Sequence, residues 1–547
     1  MYTLILSSIC AAAVTQGVSP EPAAKAVKKP NLLFIITDQQ RYDALGKVGN
    51  FPFLRTPNLD RLASEGAWFT HAYTPCAVSG PARACLLTGQ LVEHTNVLTN
   101  ELTVQDPVKN NFTTEKTFDR ILNENGYYSE YHGKWHCPIG WTDCYEGFTW
   151  HRKDKNNPFS YEIDHLSGYK SFLREKYDKR NAPEGSLTDK SMFDVPYFPD
   201  PIDRRILRGY DENGNLPESE LAKRKHTQPD NHGMLLIEDE DSFTAYQAKE
   251  TIAALKRAHG QNRPFNITMS INYPHSPMLP TSTFHSMYQC EDMPVPESID
   301  DNMTDSPYKN QNGRNALPEY RDPELIKYMM KNYFGLVSEI DYWVGKVLDT
   351  LEEIGERDNT IVVFVSDHGE MLGAHGLNGK ANFYEEAAHV PMIVSYPGKI
   401  PAGTVVDAPV NSIGIYATIL DYLGIQDGQT HRPDEPSLRR FIEDKKLASS
   451  QEVFAVSEWP SDSVPGMMIR TSEWKLMIGR TETAKSVDAL YDMVNDPYET
   501  TNLLAGPDGK KYMKMARNLQ MKLVENLEYR HSPYAESVRK RILTCGK

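Results

Sequence analysis

The run Ser79-Gly-Pro-Ala-Arg-Ala-Cys-Leu-Leu-Thr-Gly89 sets a hydroxyl nucleophile at the mouth of a predicted helix and an arginine one turn further on. Pro81 suits the first turn of that helix and Gly89 its end, which puts Ser79 just before the free backbone N–H groups. Such amides favour an anion. Arg83 follows Ser79 at a spacing that lets its guanidinium reach the same oxyanion bidentately. A nucleophile with its own anion clamp is suited to a sulfate or phosphate ester. The bare pattern Ser-x-Pro-x-Arg also describes a capped helix start with a surface arginine, so the reading depends on chemistry elsewhere in the chain.

That chemistry lies at the ends of two apolar runs. Pro30-Asn-Leu-Leu-Phe-Ile-Ile-Thr-Asp-Gln-Gln40 reads as a buried parallel strand with Asp38 and Gln39 at its C-terminal edge, and Thr360-Ile-Val-Val-Phe-Val-Ser366 is a second, ending in Asp367, His368 and Gly369. Open α/β sheets bind ligands outside the carboxyl ends of their strands, so the two polar pairs are expected to converge there. Two carboxylates, an amide oxygen and an imidazole form a mostly hard set suited to a divalent cation such as Ca²⁺. Either pair alone would be an ordinary strand-end turn; both together beside an anion clamp point to a site. Lys134 and His136 follow another predicted strand, His275 sits between two prolines in Tyr273-Pro-His-Ser-Pro277, and Lys380 closes a glycine-rich stretch that cannot be a regular helix. With 16 histidines in the chain, no single one carries weight alone.

The elements that position these residues need a large scaffold. A chain of 547 residues with 39% apolar content supports a sizeable core and more than one domain. The expected division is a larger N-terminal domain over 30–430 and a smaller C-terminal part over 437–547, the latter ending in a helix of mixed charge from about 510 to about 529. No internal repeat is visible, and no run reaches the ~20 apolar residues of a transmembrane span. The net charge of −15 argues against nucleic acid as a partner. A polyanionic substrate would need a local basic patch, for which Arg204, Arg205, Arg208, Lys223, Arg224, Lys225 and His226 are candidates within a long polar insertion. Leu4 to Val14 is like the apolar core of a signal peptide covering 1–24, although no basic residue precedes Lys25. Seven cysteines in so long a chain form no disulfide framework, and Cys137 and Cys144 are expected as packed free thiols in preference to a pair.

The ordered set of Pro30-Asn-Leu-Leu-Phe34, Thr56-Pro-Asn-Leu-Asp-Arg-Leu-Ala63, the run from Ser79 to Gly89, Gly133-Lys-Trp-His136, Pro274-His275, Ser366-Asp-His-Gly369, Lys380 with Tyr384-Glu-Glu386, Val390-Pro-Met-Ile-Val394, Ile469-Arg-Thr-Ser-Glu-Trp-Lys475 and Leu490-Tyr-Asp-Met-Val-Asn-Asp-Pro-Tyr-Glu499 resembles the type I sulfatases of the alkaline phosphatase superfamily. The resemblance implies an α/β fold with a central mixed sheet flanked by helices and a smaller C-terminal α+β subdomain. It implies that Ser79, in the serine variant of the signature, is oxidised to formylglycine by a radical-type maturase. Asp38, Gln39, Asp367 and His368 match the family's Ca²⁺ ligands, with Gln39 and His368 standing where many relatives carry Asp and Asn. Arg83, Lys134 and Lys380 match groups that hold the formylglycine hydrate and the sulfate oxygens, His136 the group that handles a hydrate proton, and His275 the acid for the leaving alcohol. The implied enzyme is a periplasmic or secreted bacterial sulfatase acting on a sulfated carbohydrate, in particular marine galactans such as carrageenan. Phosphonate monoester or phosphodiester hydrolysis is the alternative chemistry, and a non-catalytic sulfated-glycan binding protein is the alternative class if Ser79 stays unmodified.

Overall fold

The computed structural model describes residues 28–543 apart from 101–112, 114, 138–143, 149–150, 155–156, 163, 190–194, 201–231, 310–314, 427–432, 451–454, 460–464 and 480–486. The expected leader over 1–24 and the basic cluster from Arg204 to His226 lie outside the described residues.

At the centre stands the strand Asn31–Asp38, all eight residues of which are buried. It pairs in parallel with Phe265–Pro274 on one side and Thr360–Ser366 on the other, and Phe265–Pro274 pairs in parallel with Tyr128–Gly133. His389–Ser395 then runs antiparallel to Thr360–Ser366 and to Ala67–Tyr73, which makes the sheet mixed. Nine strands join in this sheet among the described residues. Alternation along the central strand explains its two covered faces. Leu33 and Ile35 pack into a core shared with the 31-residue helix Pro323–Glu353, whereas Leu32, Phe34 and Ile36 pack on the other side with Phe118, Ile121 and Ile419. The long helix starts where Asp322 accepts hydrogen bonds from the amides of Glu324 and Leu325 and Pro323 occupies its first turn.

Register fixes where the chemistry falls. Thr37 lies opposite Ser366, Asp38 opposite Pro274, and Ser270 opposite Gly133. The residues that follow these positions, Gln39, Lys134, His275 and Asp367, therefore leave the sheet along one edge.

A four-stranded antiparallel sheet, Ala455–Trp459, Gly466–Arg470, Trp474–Ile478 and Ala489–Asp492, forms the C-terminal part. Its residues Met467, Ile469, Leu476 and Leu490 pack on the helix Gly509–Tyr529, while Met468, Met477, Ala489 and Tyr491 pack against Tyr73, Tyr384 and Ala387 of the larger unit. Lys475 is buried in this seam and donates to the carbonyl of Phe383 and to Glu499, each at 2.8 Å, with Glu385 at 2.7 Å. Leu438, Phe441, Ile442 and Ala448 belong to the core of the large sheet, ahead of the C-terminal strands. Cys137 is a buried free thiol, and Cys144 is buried as well. No helix among the described residues is long and apolar enough to cross a membrane.

Candidate active site

Ser79 opens the wholly buried helix Ser79–Thr88, with Val78 in extended conformation ahead of it. Sequence placed the serine just before the helix; in the structure it is the first helical residue, and Pro81 sits in the first turn, where a missing N–H costs no helical bond. The helix ends at Gly89, at φ +71, whose N–H donates to the carbonyl of Cys85. A Cβ at Gly89 would lie 2.6 Å from the Tyr416 ring, so glycine is required there for both backbone and space.

The Ser79 Oγ lies 2.8 Å from Nε2 of His368. His368 Nδ1 contacts the carbonyl of Gly369 at 2.9 Å, and because a carbonyl only accepts, Nδ1 carries the proton. Burial lowers the His368 pKa and keeps the ring neutral. Its Nε2 lone pair therefore accepts from the Ser79 hydroxyl and faces the carboxylates beside it.

Asp38, Asp367 and His368 are all buried, with one ligand atom from each within 4.8 Å of the others. Asp38 Oδ2 takes Lys134 Nζ at 2.5 Å and Arg83 Nη2 at 3.3 Å, while the buried Oδ1 has no hydrogen-bond partner. Burial alone would raise the Asp38 pKa, but the charges of Lys134 and Arg83 hold it well below the carboxylate range. A fully ionised carboxylate with an unpartnered buried oxygen, a second carboxylate and an imidazole lone pair make a donor set that fits a hard divalent cation. Gln39, at φ +73, is placed differently from the three. Its backbone N–H donates to Asp367 Oδ1 at 3.0 Å, its side-chain amide donates to Glu370, and its amide oxygen accepts from Lys380.

Arg83 does not point its donors at Ser79 as the helical spacing suggested. Nε donates to Asp367 Oδ2 at 2.8 Å, Nη2 to Asp38, and Nη1 to Ser270 Oγ at 2.8 Å and to the carbonyl of Lys134 at 3.1 Å. The guanidinium thus braces the two carboxylates against each other and against the strand that carries Lys134. Spacing along a helix shows what lies one turn away; it does not show what arrives from across the sheet edge.

The two remaining histidines differ in what they can do. His136, at φ +44, has Nε2 3.2 Å from the carbonyl of Asn100, which makes Nε2 the donor and leaves buried Nδ1 without a partner. Burial, then Lys134, push its pKa down to about 3, so the ring is neutral and Nδ1 keeps its lone pair. His275 donates from Nδ1 to the carbonyl of Ser276 at 2.7 Å, and burial followed by Lys380 drives its pKa well below the usual value. Lys380 itself is lowered by burial, against the pull of Asp38.

Sequence reasoning passed over Glu370, Ser270 and Asn100. Glu370 follows Asp367-His368-Gly369 directly, and a third acid beside a strand-end pair is the signal that could have found it. Ser270 and Asn100 carry no pattern of their own.

A buried serine hydroxyl held among fixed cations at the carboxyl ends of parallel strands is an arrangement suited to hydrolysis of sulfate or phosphate esters. Residues 30–425 match the Sulfatase family model, and residues 373–529 match the model for the C-terminal region of N-sulphoglucosamine sulphohydrolase, so the chain belongs to the sulfatase family, in the alkaline phosphatase superfamily, and is a sulfuric ester hydrolase. It is 27% identical to an arylsulfatase of Clostridium perfringens over 93% of this chain and 96% of the relative. It is 26% identical to an N-acetylglucosamine-6-O-sulfatase of Bacteroides thetaiotaomicron over 98% and 92% of the two chains. The solved phosphonate monoester hydrolase of Agrobacterium radiobacter shares the fold with a TM-score of 0.66 at 21% identity, covering 92% of this chain and 96% of that one.

Proposed function

We propose that the protein hydrolyses sulfate esters on a sulfated carbohydrate through a formylglycine hydrate derived from Ser79. The observation that carries this reading is the Ser79 Oγ, buried against His368 Nε2 beside Asp38 and Asp367. Asp38, Asp367 and His368 would hold Ca²⁺, with the Gln39 oxygen as the further ligand expected from the resemblance, and the ion would supply positive charge for the sulfate oxygens and for a deprotonated hydrate. The anionic oxygen of the hydrate attacks sulfur as the bond from sulfur to the sugar oxygen breaks, and His275 gives that oxygen a proton. A resting neutral His275 must first be protonated, which the negative charge of a bound ester favours. A plain serine would be left as a stable sulfate ester. In the hydrate, His136 Nδ1 takes the proton of the second hydroxyl, the carbonyl reforms, and the C–O bond to sulfate breaks; water then restores the hydrate. Lys134, Lys380 and Arg83 balance charge on the sulfate oxygens, directly or by bracing the carboxylates.

Removing two hydrogens from a serine calls for a radical-type maturase as partner, and the apolar Leu4–Val14 segment supports a periplasmic or secreted location. The sugar class draws support from the relative named for N-acetylglucosamine-6-O-sulfate chemistry. Matured enzyme assayed on carrageenan oligosaccharides, N-acetylglucosamine-6-sulfate, an aryl sulfate and a phosphonate monoester tests the whole reading. Release of sulfate from a sugar is the expected result, with carrageenan fragments the particular substrate the sequence favours. Phosphonate turnover far above sulfate turnover would instead establish the second reading, which the neutral side chains of Gln39 and His368 and the fold shared with a phosphonate monoester hydrolase favour.

A further inference from the structure

The amide of Gln39 can face the site with either its oxygen or its nitrogen, two orientations nearly equal in shape and opposite in charge. Only the oxygen suits a cation or the ammonium of Lys380. What decides the orientation is Glu370, a fully buried carboxylate that has no proton to give when ionised. Its Oε2 accepts from Gln39 Nε2, which turns the Gln39 oxygen onto Lys380 Nζ. The other oxygen, Oε1, accepts from the backbone N–H of Leu372 at 3.2 Å and from that of Gly379, the residue immediately before Lys380. The backbone of Glu370 is itself tied down, its N–H donating to the carbonyl of Glu386 at 2.8 Å and its carbonyl accepting from Arg41 Nη1 at 3.4 Å. One carboxylate therefore holds both partners of the Gln39–Lys380 contact.

We propose that Glu370 is a positioning residue for the sulfatase reaction: it selects the orientation of the Gln39 amide and fixes the glycine-rich stretch that delivers Lys380 to the sulfate oxygens. This rests on the assignment of Gln39 and Lys380 to the active site. It also accounts for how a neutral amide at position 39 can serve beside the two carboxylates Asp38 and Asp367. An amide beside two buried acids needs an acceptor behind it to present its oxygen forward, and Glu370 is that acceptor.

The physics predicts an asymmetry that a merely structural acid would not show. In Glu370→Gln one end of the new side chain becomes a donor, so it opposes either Gln39 Nε2 or the N–H groups of Leu372 and Gly379, and the Gln39 amide is no longer driven one way. In Gln39→Glu two carboxylates face each other. The combined Gln39→Glu, Glu370→Gln protein restores a single amide-to-carboxylate hydrogen bond with its polarity reversed, and again presents an oxygen to Lys380. The test measures kcat and KM for an aryl sulfate, Ca²⁺ affinity by calorimetry, and Tm for the matured wild type, both single variants and the double. Each single variant is expected to lose roughly 10–100-fold in kcat and in Ca²⁺ affinity, the range found for groups that orient metal-site ligands, and the double is expected to recover most of both. Wild-type values in Glu370→Gln, or losses that multiply in the double without recovery, would overturn the proposal. Should Glu370→Gln fail to fold, Glu370→Asp keeps the charge but withdraws it from Gln39; an unchanged kcat and Ca²⁺ affinity there would overturn it equally. Absence of sulfatase turnover in the matured wild type would refute the proposed function, while the calorimetric comparison would still report on Glu370.

Discussion

His275 offers the sharpest test of roles among single residues. A sugar alkoxide is a poor leaving group and needs a proton, whereas the phenolate of an activated aryl sulfate departs with little help. His275→Ala is therefore expected to slow a sugar sulfate by on the order of 10²-fold or more, and the aryl sulfate much less. Equal losses on both substrates would take the acid role from His275. At this scale the sequence singled out residues whose surroundings along the chain carry a signal. Asp38 and Asp367 were legible because each ends an apolar strand, and Ser79 because it opens a helix with Pro81 and Gly89 in the right places. Arg83 was found but its partners were not, since Asp38 and Asp367 reach it from remote parts of the chain. Glu370 was passed over although it directly follows Asp367-His368-Gly369, because its burial and its hydrogen bond to Gln39 arise only in the fold.

The helix Ser79–Thr88 is only as well placed as its ends. Gly89 holds a left-handed conformation under the Tyr416 ring, and a methyl group at that point meets ring carbons at 2.6 and 2.7 Å. Gly89→Ala is expected to destabilise the protein by roughly 1–3 kcal/mol, with kcat falling because the start of the helix carries Ser79, the proposed nucleophile. Denaturant unfolding and turnover of the same preparation check both. The buried strands and this helix could be read from their periodicity and punctuation. Register could not: that Asp38 pairs opposite Pro274 and Ser270 opposite Gly133 depends on how three distant strands align, and it is this alignment that brings His275 and Lys134 to the edge where Asp38 ends. The C-terminal sheet includes the strands that carry Trp474 and Tyr491. Their division of labour, one face on the Gly509–Tyr529 helix and the other against Tyr73 and Tyr384, follows from alternation once the sheet is known.

Stability at the scale of the whole molecule titrates through buried groups outside the candidate site as well. Glu339 is fully buried in the long helix, and burial pushes its carboxyl up to about 7. Its folded pKa lies above its unfolded one, so its contribution to stability is present at low pH and is lost as pH rises from the unfolded value through about 7. A shift of that size corresponds to roughly 3 kcal/mol. Glu339→Gln should flatten the stability profile and raise Tm relative to wild type at pH above neutrality; an unchanged profile in thermal melts across that range would remove Glu339 as its source. Metal should act on activity more than on folding, because the two cores that sandwich the sheet rest on apolar packing. Chelation is expected to abolish turnover with the far-UV spectrum preserved, and Ca²⁺ to restore it; full turnover in chelated, metal-free protein would refute the ligand assignment. The central claim concerns Ser79, and its most direct measurement pairs the mass of the Ser79 peptide with turnover of a sulfate ester by the same protein, prepared with and without a radical maturase. The account predicts that turnover rises in proportion to the fraction of peptide lacking two hydrogens and that protein with unmodified serine binds sulfated ligand but barely turns over. Full activity from protein whose Ser79 peptide has the mass of plain serine would contradict it.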